Sequence, residues 1–408
     1  MAAPTPDQPA TYYRKGFGLR ADVQTELSDD YSGRIVDTLR EHDYSLTVGD
    51  VTVLLAREFG FCYGVERAVE YAYQTRKKFP DRRLLLVGEI IHNPHVNDKL
   101  RGMGIEILEP ATDGQFDFST VRAEDVVIMP AFGVTIAAFE ALRAIGCVLV
   151  DTTCGSVLNV WKRVEAYARD GYTALIHGKH YHEETRATAS QVMKYPGGHY
   201  LVVRHMEEAR EVCDYIEGRS DRDAFLARFA KAASPGFDPD VHLRRVGVAN
   251  QTTMLAKESL AIGEEVGRAI ARARGEAARA TDFRTFDTIC SATQERQDAV
   301  LALLEQPLDA MIVIGGFNSS NTISLAALCA ERVPTYHIED ASGIDPDGGT
   351  VHFRVAGVRH VERTSAGWMP TDGPVRIGVT AGASTPNNKI GETVVRILAT
   401  RGLVLAYA

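Results

Sequence analysis

Three of the chain's six cysteines share one local context. The stretch Asp287-Thr288-Ile289-Cys290 echoes Asp151-Thr152-Thr153-Cys154, and Glu58-Phe59-Gly60-Phe61-Cys62 is a looser third copy. Each cysteine closes an apolar run: Val51 to Ala56, Val148 to Val150, and the shorter Phe283 to Phe286. Helix-patterned sequence follows, such as Val65, Ala68, Val69 and Ala72, or Val157, Val160, Val164 and Tyr167. A cysteine between a strand and a helix N-terminus sits where the helix dipole favours the thiolate. Thiolate is the form that attacks electrophiles or binds a soft metal. A lone cysteine of this kind is ordinarily a core residue, but three in one context point to shared chemistry. Three converging sulfurs can hold an iron–sulfur cluster whose fourth iron stays open. These lie 92 and 136 residues apart, unlike the short ligand runs of bacterial ferredoxins, so the fold has to bring three distant loops together. Cys147, Cys213 and Cys329 read as core residues.

Polar loops supply the other candidates. Asn318-Ser319-Ser320-Asn321 follows two glycines and precedes an apolar helix from Ile323 to Ala330. Hydroxyls, amides and free backbone N–H groups at a helix start suit a phosphate, although serine and asparagine also serve as plain caps. Ser384-Thr385 lies in a second loop of the same type. His92 and His182 could neutralise diphosphate oxygens. Because His92 and His95 are close, and His177, His180 and His182 cluster, a zinc site is the rival reading. Glu184, just beyond a strand end, could be a general acid. Thr252 and Thr253 could relay a proton or simply cap the helix from Leu255.

The elements that must position these residues alternate, apolar runs with helical patterns, which is the signature of an α/β protein with mostly parallel sheets. Strand-like runs include Leu84–Val87, Val126–Met129, Ala174–Ile176, Ala310–Ile314 and Val375–Val379. The polar loops follow them, on the rim where open α/β sheets bind ligands. The repeated strand–Cys–helix unit divides the chain into an N-terminal arm (1–50), lobe 1 with its leading strand (51–153), lobe 2 (154–289), lobe 3 (290–385) and a C-terminal tail (386–408). A pseudo-threefold arrangement of the lobes would bring the cysteines to one centre. The arm has a possible helix from Ser32 to His42. Stretches 214–244 and 340–374 read as loop-rich peripheral insertions, and the tail as a helix from Val394 to Ala399 and a strand from Leu403 to Ala406.

With 408 residues, 45% hydrophobic and 24% charged, the chain has the composition of a soluble multi-domain protein. A formal charge of −9 argues against bulk nucleic-acid binding. No apolar run is long enough to span a membrane. Pro4, Asp7 and Pro9 stand where a signal peptide needs basic and then apolar residues. Six scattered cysteines in so long a chain are no disulfide framework. The expectation is a cytoplasmic, reduced protein.

On these residues the chain resembles the 4-hydroxy-3-methylbut-2-enyl diphosphate reductases of the non-mevalonate isoprenoid pathway. The matching segments, in the family's order, are Gly60-Phe61-Cys62-Tyr63-Gly64-Val65, Ile91-His92-Asn93, Asp151-Thr152-Thr153-Cys154, His182-Glu183-Glu184, Gln251-Thr252-Thr253, Ile289-Cys290-Ser291-Ala292-Thr293, Asn318-Ser319-Ser320-Asn321 and Thr380-Ala381-Gly382-Ala383-Ser384. The resemblance implies three α/β lobes in pseudo-threefold arrangement around a central 4Fe–4S cluster on Cys62, Cys154 and Cys290, with the fourth iron binding the substrate's hydroxyl. It further implies diphosphate contacts from His92, His182, Ser319, Ser320, Asn321 and Ser384. Glu184 would be the proton donor, with Thr252 beside it at the substrate, and isopentenyl and dimethylallyl diphosphate the products. Ferredoxin or flavodoxin would be the electron donor, with no nucleic acid or membrane as partner.

One segment departs from the commonest bacterial pattern. Where that pattern has Ser-Ala-His-Gly, this chain has Pro130-Ala131-Phe132-Gly133. Phe132 cannot donate a hydrogen bond, so one diphosphate contact is missing or comes from Lys179 or His180. With the long N-terminal arm, this looks more like the cyanobacterial and plant type. Two other readings stay open: an enzyme similar to quinolinate synthase, which also resembles a three-lobed protein with three isolated cysteines on one cluster, and a non-enzymatic iron–sulfur sensor.

Overall fold

The computed structural model describes residues 11–286, 288–358 and 360–405. Pro4, Asp7, Pro9, Asp287 and the end of the strand expected at Leu403 to Ala406 lie outside the described residues. The chain forms two compact units. One comprises residues up to Gly16, Phe79–Ile90 and Gly104–Cys290; the other comprises Phe17–Lys78, Ile91–Met103 and the residues from Ser291 onward.

The first unit holds two all-parallel sheets. One runs Tyr12–Tyr13, Val148–Asp151, Val126–Met129, Leu84–Val87, Ile105–Leu108. The other runs Phe283–Thr285, Val246–Asn250, Thr173–His177, Tyr200–Val203. Every residue of Val126–Met129 and Thr173–His177 is buried, because helices cover both faces of a parallel sheet. That double burial is why these runs read as continuous rather than alternating apolar sequence. The helix Gly155–Arg169 buries Val157, Val160, Val164 and Tyr167, the face its spacing predicts.

The second unit is built on one mixed sheet. Its central strands Thr335–Ile338, Ala310–Ile314, Val375–Ala381 and Val51–Leu55 are parallel, and Ser45–Val48 closes one edge antiparallel. On the other edge Thr350–Arg354 pairs antiparallel with Thr335–Ile338, Ile344–Asp345 and Glu362–Ala366.

Several expectations change here. Val51–Leu55, grouped by sequence with residues up to 153, pairs instead with Val375–Ala381, Val51 opposite Val375; local patterning says that a strand exists but not which strand it joins. Residues 11–50 carry strands and helices of their own. Tyr12–Tyr13 adds an edge strand beside Leu149 and Val150, and the helix expected from Ser32 to His42 is Arg34–Glu41, preceded by a separate helix Arg20–Tyr31. Stretch 214–244 contains the end of helix Met206–Ile216 and the helices Arg222–Phe229 and Pro239–His242. The turn-forming Asp221, Asp238 and Pro239 are helix starts there. Stretch 340–374 supplies sheet strands. The last helix is longer than expected, Asn387–Ala399, and buries Ile390, Val394, Ile397 and Leu398 in the sheet's core. No strand forms over Leu403, Val404 and Leu405 among the described residues.

All three cysteines stand where expected: Cys62 directly before helix Tyr63–Lys78, Cys154 at the N-cap of Gly155–Arg169, and Cys290 directly before Ser291–Leu303.

Candidate functional site

Each unit gathers part of the candidate set. In the first, Cys154 is held by its main chain, its N–H donating to Ala131 O (2.9 Å) and its carbonyl accepting Leu158 N–H. Its side chain caps nothing, so the sulfur is not spent on the helix it precedes. Upstream, Asp151 accepts the N–H of Thr153 at 2.9 Å and the hydroxyl of Tyr12 at 2.5 Å. The N-terminal strand thereby braces the Cys154 loop.

Glu184, in the first turn of helix Glu183–Val192, is only 2% exposed. Its Oε1 accepts the main-chain N–H of Thr252 at 2.6 Å. The carbonyl of Thr252 faces the N–H of Cys290 at 3.5 Å. The peptide of Thr252 thus ties a buried carboxyl to a cysteine from a different strand end. Beside it Gln251 is a hub that sequence reading passed over: Oε1 accepts Lys179 N–H and Thr185 Oγ1 (both 3.1 Å), and Nε2 donates to Thr253 Oγ1 (2.9 Å). A polar side chain central to such a network carries no spacing signal.

His182 is the N-cap of Glu183–Val192, its Nδ1 accepting Glu184 N–H at 3.2 Å. Accepting there leaves Nε2 as the ring nitrogen able to donate. The Phe132 ring meets it edge-on, centroids 6.0 Å apart and planes at 82°. Phe132 therefore packs the histidine. Within this unit the three rings of the histidine cluster are put to separate uses. His177 is buried on Ser259 (2.7 Å), exposed His180 lies against Tyr181, and His182 caps its helix.

In the second unit, Cys62 N–H donates to Ala383 O (3.2 Å), and Gly60 N–H to Ala381 O (3.3 Å). Gly60 has φ +67°, which a side chain would strain. The Cys62 loop is thereby zipped along the loop that carries Ser384. Ser384 Oγ donates to His92 O (3.2 Å) and lies 3.4 Å from Ser319 Oγ. Ser319 also caps helix Ser320–Ala330, accepting Thr322 N–H, so the capping reading holds without displacing the other. Asn321 Oδ1 accepts Ala383 N–H (2.9 Å), while its buried Nδ2 has no protein partner. A buried amide donor left over at a helix start, among hydroxyls, suits an anionic ligand. His92, Ser319, Ser320, Asn321 and Ser384 are all buried.

Known proteins match this chain over nearly its whole length. The model of the LytB protein family matches residues 53–398. A 4-hydroxy-3-methylbut-2-enyl diphosphate reductase of Thermosynechococcus vestitus is 48% identical over 394 residues, 96% of this chain and 95% of its own length. That of Gloeobacter violaceus is 47% identical over 400 residues, covering 97% of this chain and 94% of its own. The chain belongs to this LytB reductase family. A solved structure of (E)-4-hydroxy-3-methyl-but-2-enyl diphosphate reductase, described as the terminal enzyme of the non-mevalonate pathway, is similar at 28% identity with a TM-score of 0.51, covering 85% of this chain and 98% of its own. The Plasmodium falciparum E-1-hydroxy-2-methyl-but-2-enyl-4-diphosphate reductase, 20% identical with a TM-score of 0.61 over 86% of this chain and 90% of its own, shares the fold. Membership in the LytB family displaces the quinolinate synthase-like and sensor readings.

The cysteines of this LytB chain divide into two groups by burial. Cys62, Cys154 and Cys290 are half-buried at helix starts, whereas Cys147, Cys213 and Cys329 are buried. Burial pushes the Cys213 and Cys329 thiols up to about 12, and raises that of Cys147 as well. Those three stay protonated and poor as ligands.

Proposed function

We propose that the chain reduces (E)-4-hydroxy-3-methylbut-2-enyl diphosphate with two electrons and two protons, releasing water and forming isopentenyl and dimethylallyl diphosphate. Family membership supports the reaction. The main chain of Thr252, bonded to Glu184 through its N–H and facing Cys290 through its carbonyl, is the observation that supports this reading at the level of atoms.

Cys62, Cys154 and Cys290 would together hold a 4Fe–4S cluster. When bound, such a cluster supplies the electrons and, at the iron without a cysteine, a Lewis acid for the hydroxyl. The protein's own groups do the rest. His92, His182, Ser319, Ser320, Asn321 and Ser384 bind the diphosphate, which helix Ser320–Ala330 also favours through its N-terminus. Glu184 gives the proton with which the hydroxyl leaves as water. Thr252 N–H holds Oε1, and Oε2 is the atom that carries that proton. The resulting allylic anion takes a second proton at either end, which yields the two products. Electrons come from a ferredoxin or flavodoxin. No helix among the described residues is long and apolar enough to cross a membrane.

The test is anaerobic turnover with a reduced viologen as donor, read together with the visible spectrum before and after adding substrate. Both isoprenoid products and a substrate-dependent spectral change are expected; iron-containing protein that gives neither product overturns the reading.

A further inference from the structure

Arg296, on the helix Ser291–Leu303 that begins one residue after Cys290, is 3% exposed. Its guanidinium donates to Gly60 O (2.8 Å), reaches Phe59 O (3.4 Å), and donates to Ala292 O (2.8 Å) on its own helix. Its Nε is buried with no partner. Arg296 makes no ion pair among the described residues; Glu66, at the start of helix Tyr63–Lys78, feels its charge without pairing to it. A buried cation without a counter-ion is costly. Carbonyl oxygens satisfy its hydrogen bonds but do not neutralise it. A stored charge of this kind is retained where an anion belongs, and the carbonyls it grips lie one and two residues before Phe61-Cys62.

We propose that Arg296 is a positioning residue with two effects. It clasps the Cys62 loop to the helix that follows Cys290, and its charge offsets the negative charge of the thiolate-bound cluster. The second effect rests on the cluster reading above; the first does not. Since reduction adds negative charge, a buried cation nearby favours the reduced state.

Two variants separate charge from clasp. Arg296→Met removes both, and Arg296→Lys keeps the charge but cannot bridge the same carbonyls. In anaerobically prepared holoenzyme, Arg296→Met shifts the reduction equilibrium at least tenfold toward the oxidised state, about 59 mV for a one-electron couple, while Arg296→Lys shifts it less. In iron-free protein, amide exchange over residues 59–62 is at least tenfold faster in both variants. A wild-type potential in Arg296→Met with full iron content overturns the charge effect, and wild-type exchange in Arg296→Lys overturns the clasp. Should Arg296→Met not fold, Arg296→Gln removes the charge in its place, and a wild-type potential there with full iron content overturns the charge effect. Absence of iron from the wild type would sink the cluster reading but leave the exchange result standing.

Discussion

The main-chain N–H of Thr252 donates to Oε1 of Glu184 at 2.6 Å. It is the peptide that the structure puts to work, and it fixes the carboxyl in one orientation. Glu184→Gln preserves that acceptor but cannot release a proton. Loss of a general acid costs about 10²–10⁴-fold in rate. Turnover of Glu184→Gln falls into that range with iron content and unfolding temperature unchanged, measured by steady-state kinetics with a chemical reductant. Near-normal turnover would move the proton source elsewhere.

Phe132 packs edge-on against the ring of His182. An aromatic pair of this kind contributes about 0.5–1.5 kcal/mol. Phe132→Ala therefore raises KM roughly two- to tenfold through a loosened His182, while Phe132→His, which keeps a ring, is tolerated or binds substrate more tightly. A KM for Phe132→Ala equal to that of the wild type shows that the histidine needs no such support. A collapse in turnover of Phe132→His shows that the ring packs more tightly than this contact implies.

Gly316 approaches His92 so closely that a Cβ there would lie 2.5 Å from the His92 carbonyl oxygen. Neither backbone can yield cheaply. Gly316→Ala loses about 1–3 kcal/mol of stability, and substrate affinity weakens as His92 moves. Thermal unfolding and KM read the two effects; a variant that matches the wild type in both removes His92 from the binding set.

His177 and His337 are buried, and burial lowers each to about 4. The unfolded chain therefore binds more protons between the ordinary histidine value near 6.5 and about 4. Their contribution to stability is complete above 6.5 and is lost as pH falls toward 4, at up to about 1.4 kcal/mol per pH unit for each. Urea unfolding at pH 7.5, 6 and 5 measures the slope, and His177→Gln flattens part of it. An unchanged slope in that variant contradicts the assignment.

Much of the candidate site was legible because its signals are local. A strand buried on both faces must be apolar throughout, and a helix tends to begin with a residue that satisfies its free N–H groups, so the strand–Cys–helix junction at Cys154 and the cap at Ser319 stand out. What depends on distant partners was not legible. The pairing of Val51–Leu55 with Val375–Ala381, the two-residue strand Tyr12–Tyr13 and the buried Arg296 leave no periodic trace. Phe132 was visible only as a missing donor, and its packing role appears once His182 is seen to cap a helix.

Iron content across single cysteine replacements tests the central claim most directly. Cys62→Ser, Cys154→Ser and Cys290→Ser, purified anaerobically, each lose iron and turnover, whereas Cys147→Ala, Cys213→Ala and Cys329→Ala keep both. Full iron and full turnover in any one of the first three would contradict a cluster held by that set.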